Sequence, residues 1–150
     1  MELKNVKIEF ADPTMATILF PIRAKSGDVG YDLKAAEDCV VGYREIILIP
    51  CGFKIEIEEG YEAQVRSRSG LAKQGISVVN SPGTVDPGFR GILSVLLINN
   101  SPSWRPFEIK IGDRIAQMVF NKVELPDFTI VEHVAESERG ENGFGSTGTK

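Results

Sequence analysis

Five short segments carry side chains whose types and spacing could do chemistry. The first, Ser26-Gly27-Asp28-Val29-Gly30-Tyr31-Asp32, sets two carboxylates four residues apart between glycines. Such oxygens suit Mg²⁺ or its bound waters, although Asx-turn structure is the commoner use of these residues. The second, Arg66-Ser67-Arg68-Ser69-Gly70-Leu71, puts two arginines of equal strand parity just before a possible helix start. Exposed N–H groups there, with Ser69 and Gly70, would make an anion site. A solvated strand end with Ser69 as helix cap explains the same residues, and the types alone do not choose. The third runs from Asn80 through Gly83, Thr84, Val85 and Asp86 to Phe89 and Gly91. Asp86-Pro87-Gly88 is most simply a β-turn; the functional reading is a hairpin whose backbone faces a ligand, with Asp86 as a base.

The fourth segment, Gly112-Asp113-Arg114-Ile115-Ala116-Gln117, reads as a turn and salt bridge entering a strand, with Gln117 the one polar residue lacking a structural reason. The fifth, from Arg139 to Lys150, contains Gly143-Phe144-Gly145-Ser146-Thr147-Gly148. That string matches G-x-G-x-x-G, but it lacks the strand and helix a dinucleotide fingerprint needs. Thr149-Lys150 likewise reverses the order of a phosphate-binding P-loop. What survives is a glycine-rich backbone able to converge on an anion, the hydroxyls of Ser146 and Thr147, and the guanidinium fork of Arg139. Phe144, with no core to join, could stack on a ligand's ring. Composition alone reads the segment as a disordered tail.

The elements that must position these residues are strands. Phe53-Lys54-Ile55-Glu56-Ile57-Glu58 and Phe107-Glu108-Ile109-Lys110-Ile111 alternate apolar and charged residues, as half-buried antiparallel strands do. Ile46–Ile49 and Ile92–Ile98 are denser apolar runs, suited to strands covered on both faces. Frequent Gly and Pro turns separate the runs, so an all-β barrel or sandwich is expected. Only Ser69 to Gly75 invites a helix, of about two turns at most. The length of 150 residues suits one domain. The body is expected over residues 1–135, with a flexible arm over 136–150.

Composition excludes several functions. A net charge of −4 argues against binding nucleic acid through bulk charge. No apolar run approaches a membrane span and the N-terminal residues lack a signal peptide's apolar core, so a cytoplasmic protein is expected. Two cysteines, Cys39 and Cys51, make no disulfide framework and are expected to pack reduced in the core. With His133 the only histidine, a Cys/His zinc site or a histidine-based triad is not expected.

In this order the five segments resemble the five motifs of the trimeric dUTP pyrophosphatases, the dUTPases. The resemblance rests on Gly30-Tyr31-Asp32-Leu33-Lys34-Ala35, Arg68-Ser69-Gly70-Leu71-Ala72, Gly83-Thr84-Val85-Asp86 with Phe89-Arg90-Gly91, Gly112 to Gln117, and Arg139-Gly140 with Gly143 to Gly148. It implies a jelly-roll-like β-barrel with one short helix and a flexible C-terminal arm, assembled as a homotrimer. Its three active sites would lie between subunits, each closed by the arm of another chain. The implied reaction hydrolyses dUTP to dUMP and pyrophosphate, which limits uracil in DNA and supplies dUMP for thymidylate synthesis.

By the same resemblance, Asp86 orients and deprotonates the water that attacks the α-phosphorus. Mg²⁺ is held mainly by the substrate's phosphates, with Asp32 near its water shell. Arg68, Ser69, Gly70 and Gln117 contact phosphate oxygens. Asn80 and the backbone of Gly83, Thr84 and Val85 read the uracil edge. Arg139 reaches the terminal phosphates, Phe144 covers the uracil, and Gly145, Ser146 and Thr147 complete the closing arm. Phe89 departs from the tyrosine usual in the family; it keeps the wall beneath deoxyribose and loses the phenolic anchor. A related deoxycytidine triphosphate deaminase would need residues acting at cytosine C4, and none is matched. A non-catalytic dUTP-binding regulator would not need Asp86 or the arm, and this chain retains both.

Overall fold

The structure of the chain, a computed structural model, describes Leu3, residues 5–141 and Gly143. Its regular structure is mostly strand: β1 (Lys7–Phe10), β2 (Tyr31–Lys34), β3 (Cys39–Val41), β4 (Ile46–Pro50), β5 (Phe53–Glu56), β6 (Tyr61–Arg66), β7 (Ile76–Val78), β8 (Gly83–Val85), β9 (Ser94–Asn99), β10 (Phe107–Ile109) and β11 (Arg114–Lys122). Helix is confined to a 3₁₀ turn at Pro13–Met15 running into α1 (Ala16–Leu19), and to α2 (Ser69–Ala72). The expectation of a single short helix is therefore corrected. The extra turn is locally specified: Asp12 accepts from the Thr14 backbone N at 2.9 Å and from Thr14 Oγ1 at 2.7 Å, and Pro13 occupies the first position, where a missing N–H costs nothing.

The strands form four antiparallel sheets, ordered β2-β11-β6-β8, β4-β9-β7, β1-β5 and β10-β3. No sheet closes on itself among the described residues. Period-two alternation gives the two larger sheets an inner face each. Leu33, Ala63, Val65, Ala116 and Met118 come from one, and Ile49, Val95, Leu97, Ile76 and Val78 from the other, all into one buried cluster with Phe53, Val41 and Ile109. Cys51 belongs to this core, and burial pushes its thiol up to about 12. Cys39, a free thiol on β3, packs against this core and is half-buried.

The two dense apolar runs are not covered on both faces within one chain. Their inner residues are buried, but Ile46 and Leu48 point outward, 51% and 62% exposed. They lie directly opposite Ile98 and Leu96 on β9. Beyond β11 the described residues form neither strand nor helix, and Phe128 and Ile130 are 98% and 100% exposed. No helix among the described residues is long and apolar enough to cross a membrane.

Candidate active site

One half of the site is built where β2, β11 and the entry to α2 meet. Gln117 on β11 lies opposite Asp32 on β2 and opposite Arg66 on β6, a polar row across three strands on the face away from the core. Asp32 bridges two guanidiniums, with Arg68 Nε 3.3 Å from Oδ1 and Arg114 Nη1 3.5 Å from Oδ2. Arg68 also donates from Nη1 to the Arg114 carbonyl at 2.9 Å. Gln117 Nε2 donates to the Ser67 carbonyl at 2.9 Å, and its Oε1 occupies the space a Cβ on residue 30 would need. Gly30 is thus required by close approach. Gly30, Asp32, Arg68, Arg114 and Gln117, with Ser69 and Gly70, line a cavity of about 440 Å³.

Asp28, the other carboxylate of the first segment, accepts from the Lys25 backbone N at 2.9 Å, so the turn reading holds for it. Among the described residues no three Cys, His, Asp or Glu side chains converge to hold a metal. Both oxygens of Asp32 already face arginine. This donor set suits a cation that arrives on a ligand's phosphates, with Asp32 reaching it through water at most.

The other half is the hairpin of β8. Asn80, Gly83, Thr84, Val85, Asp86 and Phe89 line a second cavity of about 290 Å³. Leu48 and Leu96 of the apolar outer face continue its wall, and neither carries a functional signal in the sequence. Asn80 packs against Gly83 so closely that an added Cβ would lie 3.0 Å from Nδ2. The turn after β8 forms as expected: the Phe89 N donates to the Asp86 carbonyl at 3.1 Å, and Arg90 Nη1 clamps it from the Pro87 carbonyl at 2.6 Å. That turn uses the Asp86 backbone and leaves its carboxylate exposed and without a hydrogen bond or ion pair among the described residues.

Several expectations change here. Arg66 and Arg68 do not share a site: the strand ends at Arg66, whose guanidinium turns back onto Gln64 Oε1 at 2.6 and 3.1 Å, and only Arg68 reaches the cavity. Ser69 is the first residue of α2, not its cap; Arg68 holds the cap position with no side-chain bond. Arg139 lies in an exposed turn that lines neither cavity. Phe144, Gly145, Ser146 and Thr147 lie outside the described residues. The main residue that sequence reasoning misses is Arg114: on a strand its spacing of three from Gln117 predicts opposite faces, and a register shift between Arg114 and Ala116 accompanies their meeting in one cavity. The two cavities share no lining residue.

The fold and site together define a β protein with one cavity lined by two arginines and a separate pocket lined by the β8 hairpin. The dUTPase family model matches residues 16–148, and the chain belongs to the dUTPase family. The deoxyuridine 5'-triphosphate nucleotidohydrolase of Corynebacterium glutamicum is 48% identical over 150 residues, covering 98% of this chain and 97% of that one. Among solved structures, a Staphylococcus bacteriophage 80alpha dUTPase variant with dUpNHpp superposes with a TM-score of 0.87 at 26% identity, over 97% of this chain and 99% of that one. A dUTPase of phage phi11 of S. aureus, at 22% identity and a TM-score of 0.78 over 87% and 98%, shares the fold; a structural Mg(II) ion is described for that protein.

Proposed function

We propose that the chain hydrolyses dUTP to dUMP and pyrophosphate, as a homotrimer of jelly-roll-like barrels whose sites combine residues of different copies. Membership of the dUTPase family over residues 16–148 carries the reaction. The separation of the two cavities supports the shared site. So does the uncovered apolar surface of Ile46, Leu48, Phe128 and Ile130, whose burial against another copy would gain about 25 cal/mol for each Å² covered.

In this reading the hairpin of one copy faces the Asp32–Gln117 cavity of the next, and the arm over residues 136–150 of a further copy closes over both. Asn80 and the backbone of Gly83, Thr84 and Val85 bind the uracil edge, where fixed donors and acceptors reject the cytosine pattern. Phe89 lies beneath the sugar. Arg68, Ser69, Gly70 and Gln117 hold phosphate oxygens, Arg139 meets the terminal ones, and Phe144 covers the base. Asp86 takes the proton of the attacking water as its oxygen bonds to the α-phosphorus, and the bond to the bridging oxygen breaks with release of pyrophosphate. Mg²⁺ bound to the phosphates supplies charge neutralisation, with Asp32 the residue that meets its water shell.

The test is pyrophosphate release with Mg²⁺ from dUTP, UTP, dTTP and dCTP, with Asp86→Asn as control. Release from dUTP alone, reduced at least about a hundredfold in the variant, is expected. Binding of dUTP without release would favour a regulator, and near-normal turnover of the variant would remove Asp86 from the mechanism.

A further inference from the structure

We infer that Arg23 is a positioning residue for the triphosphate site: without lining the Asp32–Gln117 cavity itself, it fixes the loop that forms one wall of it. This rests on the hydrolysis of dUTP proposed above. The chain over residues 22–30 contains neither strand nor helix, yet Ala24, Asp28, Val29 and Gly30 line that cavity. Glycines at 27 and 30 make such a segment costly to order. Its tip closes on itself: the Asp28 N donates to the Lys25 carbonyl at 3.1 Å, and the Lys25 N to Asp28 Oδ2 at 2.9 Å. The Asp32 N, donating to the Ile22 carbonyl at 2.8 Å, anchors the base of the loop. These bonds shape the turn but leave the place of its tip relative to the sheet undecided.

Arg23 supplies that link. Its Nη1 donates to the Ser26 carbonyl at 3.0 Å and to the Asp28 carbonyl at 3.2 Å, so one guanidinium nitrogen spans the tip at Gly27. The same guanidinium lies over the Tyr31 ring, 5.5 Å from its centroid, a cation–π contact. Tyr31 begins β2 and meets Phe120 of β11 edge to face, with ring centroids 5.8 Å apart. The wall is thereby located against the strand that carries Gln117. A wall already in place spares the ligand the cost of ordering it. Among the described residues no carboxylate lies within ion-pair distance of Arg23. A bare cation near a phosphate cavity also attracts anions, so attraction and positioning have to be told apart by experiment.

The experiment measures kcat, KM for dUTP and the thermal midpoint of the intact protein in Arg23→Met, Arg23→Lys, Tyr31→Leu and the double variant Arg23→Met with Tyr31→Leu. Expected in Arg23→Met is a KM raised at least about fivefold, with kcat within about twofold of the parent's and the midpoint nearly unchanged, since a wall bears on ground and transition states alike. Arg23→Lys should recover little, because an ammonium cannot bond both carbonyls while lying flat on the ring. Tyr31→Leu should raise KM too, and the double variant should be no worse than the worse single one, as for residues that act through one contact. The ratio of variant to parent KM should hold between about 0.05 and 0.5 M salt, where attraction through charge would fade. Full recovery in Arg23→Lys, or a penalty that disappears in salt, would show attraction alone and overturn the inference. An unchanged KM in Arg23→Met would overturn it as well, as would a lowered midpoint with kcat and KM damaged together. A parent protein that neither binds dUpNHpp nor hydrolyses dUTP would instead overturn the functional reading on which this one rests.

Discussion

Phe89 owes its position to a missing side chain. Its ring lies over Gly91, where an added Cβ would come within 2.6 Å of Cζ and 2.9 Å of Cε2. The ring is 43% exposed, so Gly91→Ala should swing it outward instead of disrupting the core. If the ring is the wall beneath the sugar, the ratio of kcat/KM for dUTP over UTP falls in Gly91→Ala while the thermal midpoint barely moves. A ratio equal to the parent's would show that the ring does not exclude the 2′-hydroxyl. The same scale marks what a sequence can carry. Residue types pointed to an anion site around Arg68 and Ser69, but side-chain reach did not follow from spacing. Parity groups Arg66 with Arg68 because nothing local announces that β6 ends between them, and it does not reach Arg114, whose carboxylate partner is 82 residues away in sequence.

At the scale of elements, β11 must begin at the right place for Arg114 and Gln117 to share a cavity, and Asp38 pins the turn that starts it. Its Oδ1 accepts from the Ile111 backbone N at 2.8 Å and its Oδ2 pairs with Lys110 Nζ at 3.2 Å. The Ile111 N–H first, and Lys110 second, hold the Asp38 carboxyl below its ordinary value of 3.8. A depressed folded-state value means that the unfolded chain binds the extra proton more readily, so the contribution is complete above the ordinary value and is lost as pH falls through the folded one. Asp38→Asn should therefore lower stability at neutral pH slightly and flatten the acid limb of a midpoint-against-pH profile below about pH 4. An acid limb identical to the parent's would mean that this corner does not contribute. Elements with clean alternation, β5 and β10, were legible in the sequence. The Pro13–Met15 turn and α1 were not, since seven residues in all cannot show a helical period, and only the Asp12-Pro13-Thr14 start could have signalled them.

At the scale of the whole molecule, the sequence reading of Ile46–Ile49 and Ile92–Ile98 as strands covered on both faces fails within a single chain, yet the demand for cover is real. The proposed assembly meets that demand and joins the two half-sites at once. It has a consequence that no single-chain site shares. Asp86→Asn damages only the hairpin half, and Ser69→Asp damages only the phosphate half by setting a like charge in the exposed start of α2. Each variant alone should be nearly inactive. When the two are unfolded together and refolded at equal amounts, random mixing puts an intact hairpin opposite an intact phosphate cavity in about a quarter of the sites. Activity should therefore return to about a quarter of the parent's in the refolded mixture, and not in an unexchanged mixture of the two proteins. A refolded mixture no more active than its components, despite exchange of copies shown by mass, would place both halves of each site on one chain. Recovery at the expected level would show that each hairpin meets a different copy's cavity, an arrangement that a closed head-to-tail ring of three satisfies at all three of its sites.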